Sequence, residues 1–396
     1  MSGNRRHYDV IVVGLGTAGA ATCMELARRG VSVAGFDAGT PPHTSGSHHG
    51  RSRSIRRAYM EGSAYVPMVM RAWELWRRLE TDSGTELLLT TANLTVGPES
   101  GSAVRGVQAS AKRYGIPHEM LSAADIRRRW PVLRPRPAYA GAFEVEAGIL
   151  RPEAAITAML AAAEAAGARL HTRTPVTAWE EEGDHVVLQT AAGRYEAAGV
   201  VLATGARVTA LAQSLSRAVQ PRRIPVCWFA PERNDQFALG SLPVSFWQVP
   251  VEAAAGSPYW EVYSLPIVEA GGGVKVAAHN RLAACDPDND PPQVRAAEIA
   301  SIRGFLSEFI PALADTPVTA ERCFYATTPD GEFVLGPVPG STRAVTGVFS
   351  GHGFKFAPVL GEILADLATG IGPRFDLRLF SPDRLRPQSR SGETPR

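Results

Sequence analysis

YDVIVVGLGTAG, Tyr8 to Gly19, decides the fold. YDVIVV is an apolar run, which suits a strand buried on both faces of a parallel sheet. Gly14, Gly16 and Gly19 follow at once in G-x-G-x-x-G spacing, and AATCMELARRG then keeps a helical period until Gly30 stops it. VSVAGFDAG reads as a second strand ending in Asp37. The spacing has a physical sense: Gly14 permits the tight turn, Gly16 lets a pyrophosphate approach the backbone, and Gly19 lets helix and strand pack closely. The helix N-terminus then faces the anion. Asp37, 18 residues beyond Gly19, is placed to accept hydrogen bonds from a ribose diol, which favours NAD or FAD over NADP.

Outward from this unit, 396 residues are enough for two sizeable cores. With 41 basic and 39 acidic residues the formal charge is only +2, so the chain as a whole has no field that would gather nucleic acid or an anionic membrane. Cys23, Cys227, Cys285 and Cys323 are too scattered for a zinc site and too few for a disulfide framework, so reduced thiols and no metal are expected. The polar lead MSGNRRH has no signal-peptide pattern, and no uncharged apolar stretch of about 18 residues occurs, so a cytoplasmic protein is expected. The residues from 384 to 396 lack periodicity and are expected to be a disordered tail.

SAYVPMVMRAWELWRRLE reads as an amphipathic helix with Trp73 and Trp76 in the core, and RPEAAITAMLAAAEAAGA as an Ala-rich helix opened by Pro152. Short strands follow and close on VVLATGA, a buried strand and small-residue turn that resembles the second dinucleotide-contacting segment of FAD-dependent oxidoreductases. Residues 219 to 322 are aromatic and strand-rich, which suits an antiparallel sheet. TGVFSGHGFKFAPVLGEILADLATG is strand, glycine turn and helix. The pattern defines an α/β chain, α+β overall: a Rossmann-like cofactor domain from 1–86, 151–218 and 324–383, and a substrate domain with an antiparallel sheet from 87–150 and 219–323.

GSHHGRSRSIRRAY places two histidines and four arginines between His48 and Arg57. Charge density alone suits a solvated face or a nucleic-acid patch. The stretch starts nine residues after Asp37, however, so it leaves the second strand on the cofactor side, and no matching basic face exists elsewhere.

GLGTAG, PPHTSGSHHGRSRSIRRAY, ERCFYATTPDGEF and SGHGFKFAPVLGEILADLA resemble, in order and spacing, the monomeric sarcosine oxidase and N-methyltryptophan oxidase family of the D-amino-acid-oxidase superfamily, over about Tyr8 to Phe380. The resemblance implies FAD held along Gly14, Gly16, Thr17, Ala18, Gly19, Asp37, Ser47, His48, Val176, Gly205, Gly351 and Gly353, with Cys323 joined covalently to the flavin. It implies that Arg53 packs near the flavin and that Arg56 and Lys355 bind the substrate carboxylate. Lys275 would activate oxygen on the opposite flavin face, and His279 would line the substrate side. Even spacing puts Lys275 and His279 on one face of a strand. Tyr263 matches the second member of a tyrosine pair whose first is Val262 here, and the loops around it depart from the family, as do Arg51 and Arg57. A monomer is implied.

These residues point to oxidation of the C–N bond of a secondary amino acid, N-methylated or cyclic, with O2 as acceptor and imine and hydrogen peroxide as products. The altered tyrosine loop leaves a second reading, a flavin-dependent dehydrogenase or biosynthetic tailoring oxidase with a larger amine. A non-enzymatic dinucleotide module whose basic stretch contacts nucleic acid is the reading least favoured.

Overall fold

A computed structural model describes residues 7–251 and 257–385. The opening strand is His7–Val13, and it pairs in parallel with Val33–Phe36 on one side and with Gly193–Leu202 on the other. The strand Arg169–His171 extends this sheet beyond Val33–Phe36, and Ala344–Val348 joins the end of Gly193–Leu202 in parallel. The hairpin Val176–Glu182 and His185–Thr190 continues it antiparallel. Four consecutive positions of the opening strand, Val10 to Val13, are buried, as a parallel strand covered on both faces requires. Its cover on one face is the helix Thr17–Arg28, packed against Pro152–Ala165 and Ala357–Ala368.

The glycine turn shows why the motif tolerates no side chain. Gly14 has φ +91°, and a Cβ on Gly19 would lie 1.7 Å from the Gly14 carbonyl oxygen. The helix therefore starts directly against the strand end. The second strand closes at Phe36, one residue before Asp37.

The second sheet has eight strands in the order Leu313–Thr327, Gln220–Pro231, Val274–Ala278, Tyr259–Leu265, Val244–Pro250, Asn93–Pro98, Tyr139–Glu144 and Glu119–Ser122. All neighbours are antiparallel except Val244–Pro250 with Asn93–Pro98. Alternation decides its two faces. Cys227, Phe229, Val262, Val274 and Val276 pack into a core with the helix Ala296–Phe309. Val226, Trp228, Tyr263, Ala277 and Cys323 cluster on the other face. Leu88–Thr90 and Gly148–Leu150 do not join this sheet; Gly148–Leu150 is the middle strand of a separate three-stranded sheet, with Arg53–Ile55 on one side and Leu88–Thr90 on the other. The strand Leu313–Thr327 runs through the expected boundary at residue 323.

Trp76 is fully buried, as its helix pattern predicts, and its Nε1 also donates to the Lys355 carbonyl at 2.8 Å. Arg384, placed in the expected tail, pairs with Asp330 at 2.8 Å within the turn Pro382–Leu385, and 386–396 lie outside the described residues. No helix of the described residues is long and apolar enough to cross a membrane, and none of their His, Cys, Asp and Glu side chains group to hold a metal.

Candidate active site

A cavity of about 580 Å³ opens at the carboxyl ends of the parallel strands, where doubly wound sheets bind their ligands. Gly14, Gly16, Thr17, Ala18, Asp37, Ser47, His48, Arg53, Val176, Gly205, Gly351 and Gly353 all line it. Gly19 and Cys323 do not: Gly19 serves the turn from inside, and Cys323 lies behind its neighbours Phe324 and Tyr325, which do line it. The helix N-terminus at Gly16 carries no side-chain cap, so its amides remain for an anion. The Asp37 carboxylate accepts from Leu15 N and Gly39 N, each at 2.8 Å, and meets His43 Nε2 at 3.1 Å. Asp37 thus fixes the glycine turn while facing the cavity. His48 is buried beside Gly16; desolvation, then the charge of His43, drives its ring down to about 3, so it is a neutral imidazole. Ser47 Oγ donates to the Phe324 carbonyl at 2.7 Å, tying the basic stretch to the strand that carries Cys323.

Cys323 is 3 % exposed, with Arg53 Nη2 3.9 Å from its sulfur. Burial opposes ionisation of the thiol, but His49, Arg53 and Lys275 outweigh it and bring the group down to about 7. Burial likewise opposes charge on His49, and Cys323 and Glu321 reverse this and raise it, with Nδ1 3.2 Å from Glu321. The other buried thiols, Cys23 and Cys227, are pushed up by desolvation and stay inert. Lys275 is 1 % exposed and donates from Nζ to the carbonyls of Gly50 at 2.8 Å and Ser52 at 2.6 Å. Burial, then the charge of Arg53, lowers it far below an ordinary lysine.

Arg56 and Lys355, expected to bind a carboxylate, both approach the ring of Tyr59. The Arg56 guanidinium lies 5.1 Å from the Tyr59 ring centroid and the Lys355 ammonium 5.5 Å from the same ring. Both are buried, at 3 % and 5 % exposure. Arg56 Nη2 pairs with Glu61 at 2.9 and 3.0 Å, while its buried Nε has no partner. Among the described residues Lys355 Nζ donates only to the His352 carbonyl, at 3.1 Å. Desolvation, then Arg56, lowers Lys355 to about 7. For Glu61 the effect of burial is overcome by Arg56, then by His352, Lys355 and His279, which bring it to about 2. His279 and His352 are held neutral by burial, near 4 and 3. His352 Nδ1 meets Tyr59 Oη at 2.7 Å, and His279 lies 5.7 Å from the Tyr325 ring and 6.5 Å from His352.

Two groups result. Lys275, Cys323, His49 and Arg53 form one; Arg56, Lys355, Glu61, His279 and His352 form the other. Tyr263 is coupled to Tyr325, and burial raises its phenol to about 12. Val262 faces the opposite core, so the tyrosine partner comes from a distant strand. Arg51 is not simply solvated: its guanidinium lies 5.0 Å over Trp228 and 3.6 Å from Glu321. Arg57 turns to Glu146 and Trp73. Sequence reading missed Glu61, His352, Tyr325 and His49. His352 and His49 sat inside quoted motifs, whereas Glu61, in a stretch of no period, gave no signal.

The uncapped glycine turn, the acid at the second strand and the cavity between the two sheets define a dinucleotide-dependent oxidoreductase. The family model described as FAD dependent oxidoreductase matches residues 9–367. The chain is 37 % identical over 382 residues to monomeric sarcosine oxidase of Streptomyces avermitilis, covering 96 % of this chain and 98 % of that one. It is 36 % identical to N-methyl-L-tryptophan oxidase of Citrobacter koseri, over 96 % and 99 % of the two chains. Among solved structures, an unusual amino acid oxidase essential for nikkomycin biosynthesis superposes with TM-score 0.81 at 24 % identity, over 95 % of this chain and 98 % of that one. The chain belongs to the FAD-dependent oxidoreductase family and, within it, to the group of monomeric sarcosine oxidase and N-methyl-L-tryptophan oxidase.

Proposed function

We propose that this chain is an FAD-dependent amine oxidase that oxidises the C–N bond of a secondary amino acid, N-methylated or cyclic, with O2, giving an imine and hydrogen peroxide. The observation that carries the reading is the meeting of Arg56 and Lys355, from distant parts of the chain, over one aromatic ring. Bound FAD supplies the two-electron acceptor. The lining of the cavity fits it, with an uncapped helix start for the pyrophosphate and Asp37 for the ribose.

The protein's own groups orient the substrate. A carboxylate entering the clamp meets Lys355 and the free edge of Arg56, and charge-assisted hydrogen bonds of about 1.5 to 3 kcal/mol each fix it. His279 and His352, both neutral, add no competing cation. The amine must enter unprotonated, so that its lone pair is free as the C–N bond is oxidised. Lys275, lowered by burial in the free protein, would take up a proton as an anionic oxygen species forms beside it and so present a positive charge to that anion. The thiol of Cys323, low enough to ionise near neutrality, is the candidate for the flavin linkage. We read the parallel sheet as the cofactor unit, the antiparallel sheet as the substrate wall, and the protein as a monomer.

The test is peroxide release under air from sarcosine, N-methyltryptophan, proline and pipecolate. No peroxide with any N-alkyl or cyclic amino acid overturns the reading. Lys275→Met is expected to slow reoxidation of the dithionite-reduced protein by air about a hundredfold, as removal of a preorganised charge does. Slow reoxidation of the unaltered protein would favour a dehydrogenase. A pH effect follows from Lys355, which in the free protein titrates near 7. A bound anion keeps the proton on, so the Kd of a simple carboxylate without an amine rises as pH is raised from about 7 to about 9. Titration of the flavin absorbance with acetate measures it, and a flat profile would remove Lys355 from the clamp.

A further inference from the structure

The wall of the clamp carries one ionisable group with no task in the chemistry above, Glu261. On the strand Tyr259–Leu265 it shares a face with Tyr263, since Val262 between them packs into the opposite core. Across one neighbouring strand, the His279 amide donates to the Glu261 carbonyl at 2.7 Å, so the two residues sit side by side. Across the other, Gln248 Nε2 donates to Glu261 Oε1 at 3.2 Å. That amide is fixed in turn: it also donates to Ser102 Oγ at 2.9 Å and its oxygen accepts from Ala103 N at 3.1 Å. Phe246, next to Gln248 on the same face, lies 5.6 Å from the Arg56 guanidinium and 5.8 Å from the His279 ring. The charges that reach Glu261 are those of Glu61 and Arg56, which places it in the same enclosure.

A carboxylate has lone pairs for about four donors. Among the described residues the Glu261 carboxylate accepts one side-chain hydrogen bond, from a neutral amide, and no cation pairs with it. The nearest guanidinium, Arg56, is already held by Glu61. Glu261 is partly buried on this wall, and desolvation, ahead of the hydrogen bond from Gln248, pushes its carboxyl up to about 7, so a cation brought by a ligand would restore the charge that its surroundings disfavour. Charge complementarity completes the account. Glu61 offsets Arg56, the substrate carboxylate offsets Lys355, and Glu261 is the member left over.

We propose that Glu261 is a specificity residue that receives a cationic group on the substrate side chain, so that the preferred substrate is an N-alkylated amino acid with an ammonium or guanidinium beyond its carboxylate and amine. The proposal rests on the amine oxidase reading for its substrate frame. Three ligands of similar length test it: Nα-methyl-lysine, Nα-methyl-norleucine and Nα-methyl-glutamate. Each is measured twice, as kcat/KM from peroxide release and as Kd from anaerobic flavin absorbance.

The lysine derivative is expected to exceed the norleucine derivative by about tenfold in both measures, the size of one charge-assisted contact. Glu261→Gln brings that ratio close to one, and Glu261→Lys moves the preference to the glutamate derivative. Equal treatment of the lysine and norleucine derivatives by the unaltered protein overturns the proposal, whatever the variants do. So does a Glu261→Gln variant that lowers kcat for both alike and keeps their ratio, because Glu261 would then act on the amine proton or on packing. If no ligand yields peroxide but the Kd ratio holds, the oxidase reading falls and the charge selection at Glu261 stands.

Discussion

Replacement of Arg56 by Ala lowers kcat/KM for an N-methyl amino acid by about two to three orders of magnitude, since truncating one partner of a buried charge pair costs about 2 to 5 kcal/mol. Two losses combine. The substrate carboxylate loses the guanidinium that stacks on Tyr59, and Glu61 loses the counter-ion that keeps it ionised. The double variant Arg56→Ala/Glu61→Gln separates them. It removes the stranded acid, so protein yield and flavin content recover, while kcat/KM stays low. Recovery of kcat/KM in the double variant would reduce Arg56 to a partner of Glu61 and remove the clamp from the mechanism. Arg56→Lys is no substitute, because Nη2 alone holds both Glu61 oxygens, and a lysine whose single nitrogen did the same would have no second nitrogen to offer a carboxylate.

Acid precipitation of the unaltered protein leaves a yellow pellet, and Cys323→Ala releases the colour to the supernatant. The expectation stands on the contrast among the four thiols. Cys23 and Cys227 are neutral hydrophobes in the cores, and Cys285 is raised by partial burial. Only Cys323 is lowered, by three basic neighbours acting against its burial. His49→Asn weakens that pull, so slower conversion of added FAD to the acid-stable form is expected. A colourless pellet from the unaltered protein ends the covalent proposal and leaves FAD bound by the cavity alone.

Much of the frame was legible because local rules and global fold agree there. The apolar strand, the three glycines and the helix that follows admit one geometry, and Gly19 meets the Gly14 carbonyl so closely that no other residue fits. The Ala-rich helix opens at Pro152 as its position predicts. The antiparallel sheet was legible as a type but not in its order. The pairing of Leu313–Thr327 with Gln220–Pro231, and of Val244–Pro250 with Asn93–Pro98, joins segments far apart in the chain, and no local pattern specifies such partners. For the site, the lysines and arginines stood inside motifs. Glu61 did not: an acid five residues beyond Arg56 in an irregular segment has no period to betray its partner.

By itself the sequence determined the dinucleotide turn, the two kinds of sheet and the residues able to carry charge, because each depends on neighbours within a few positions. Tertiary structure alone decided which of those charges meet. It set Lys355 and Arg56 over Tyr59, gave Glu61 to Arg56, exchanged Val262 for Tyr325 beside Tyr263, and left Glu261 facing the clamp with one amide for company. The physical reason is that electrostatic energy depends on distance and burial, and both are set by long-range packing that no stretch of chain contains within itself.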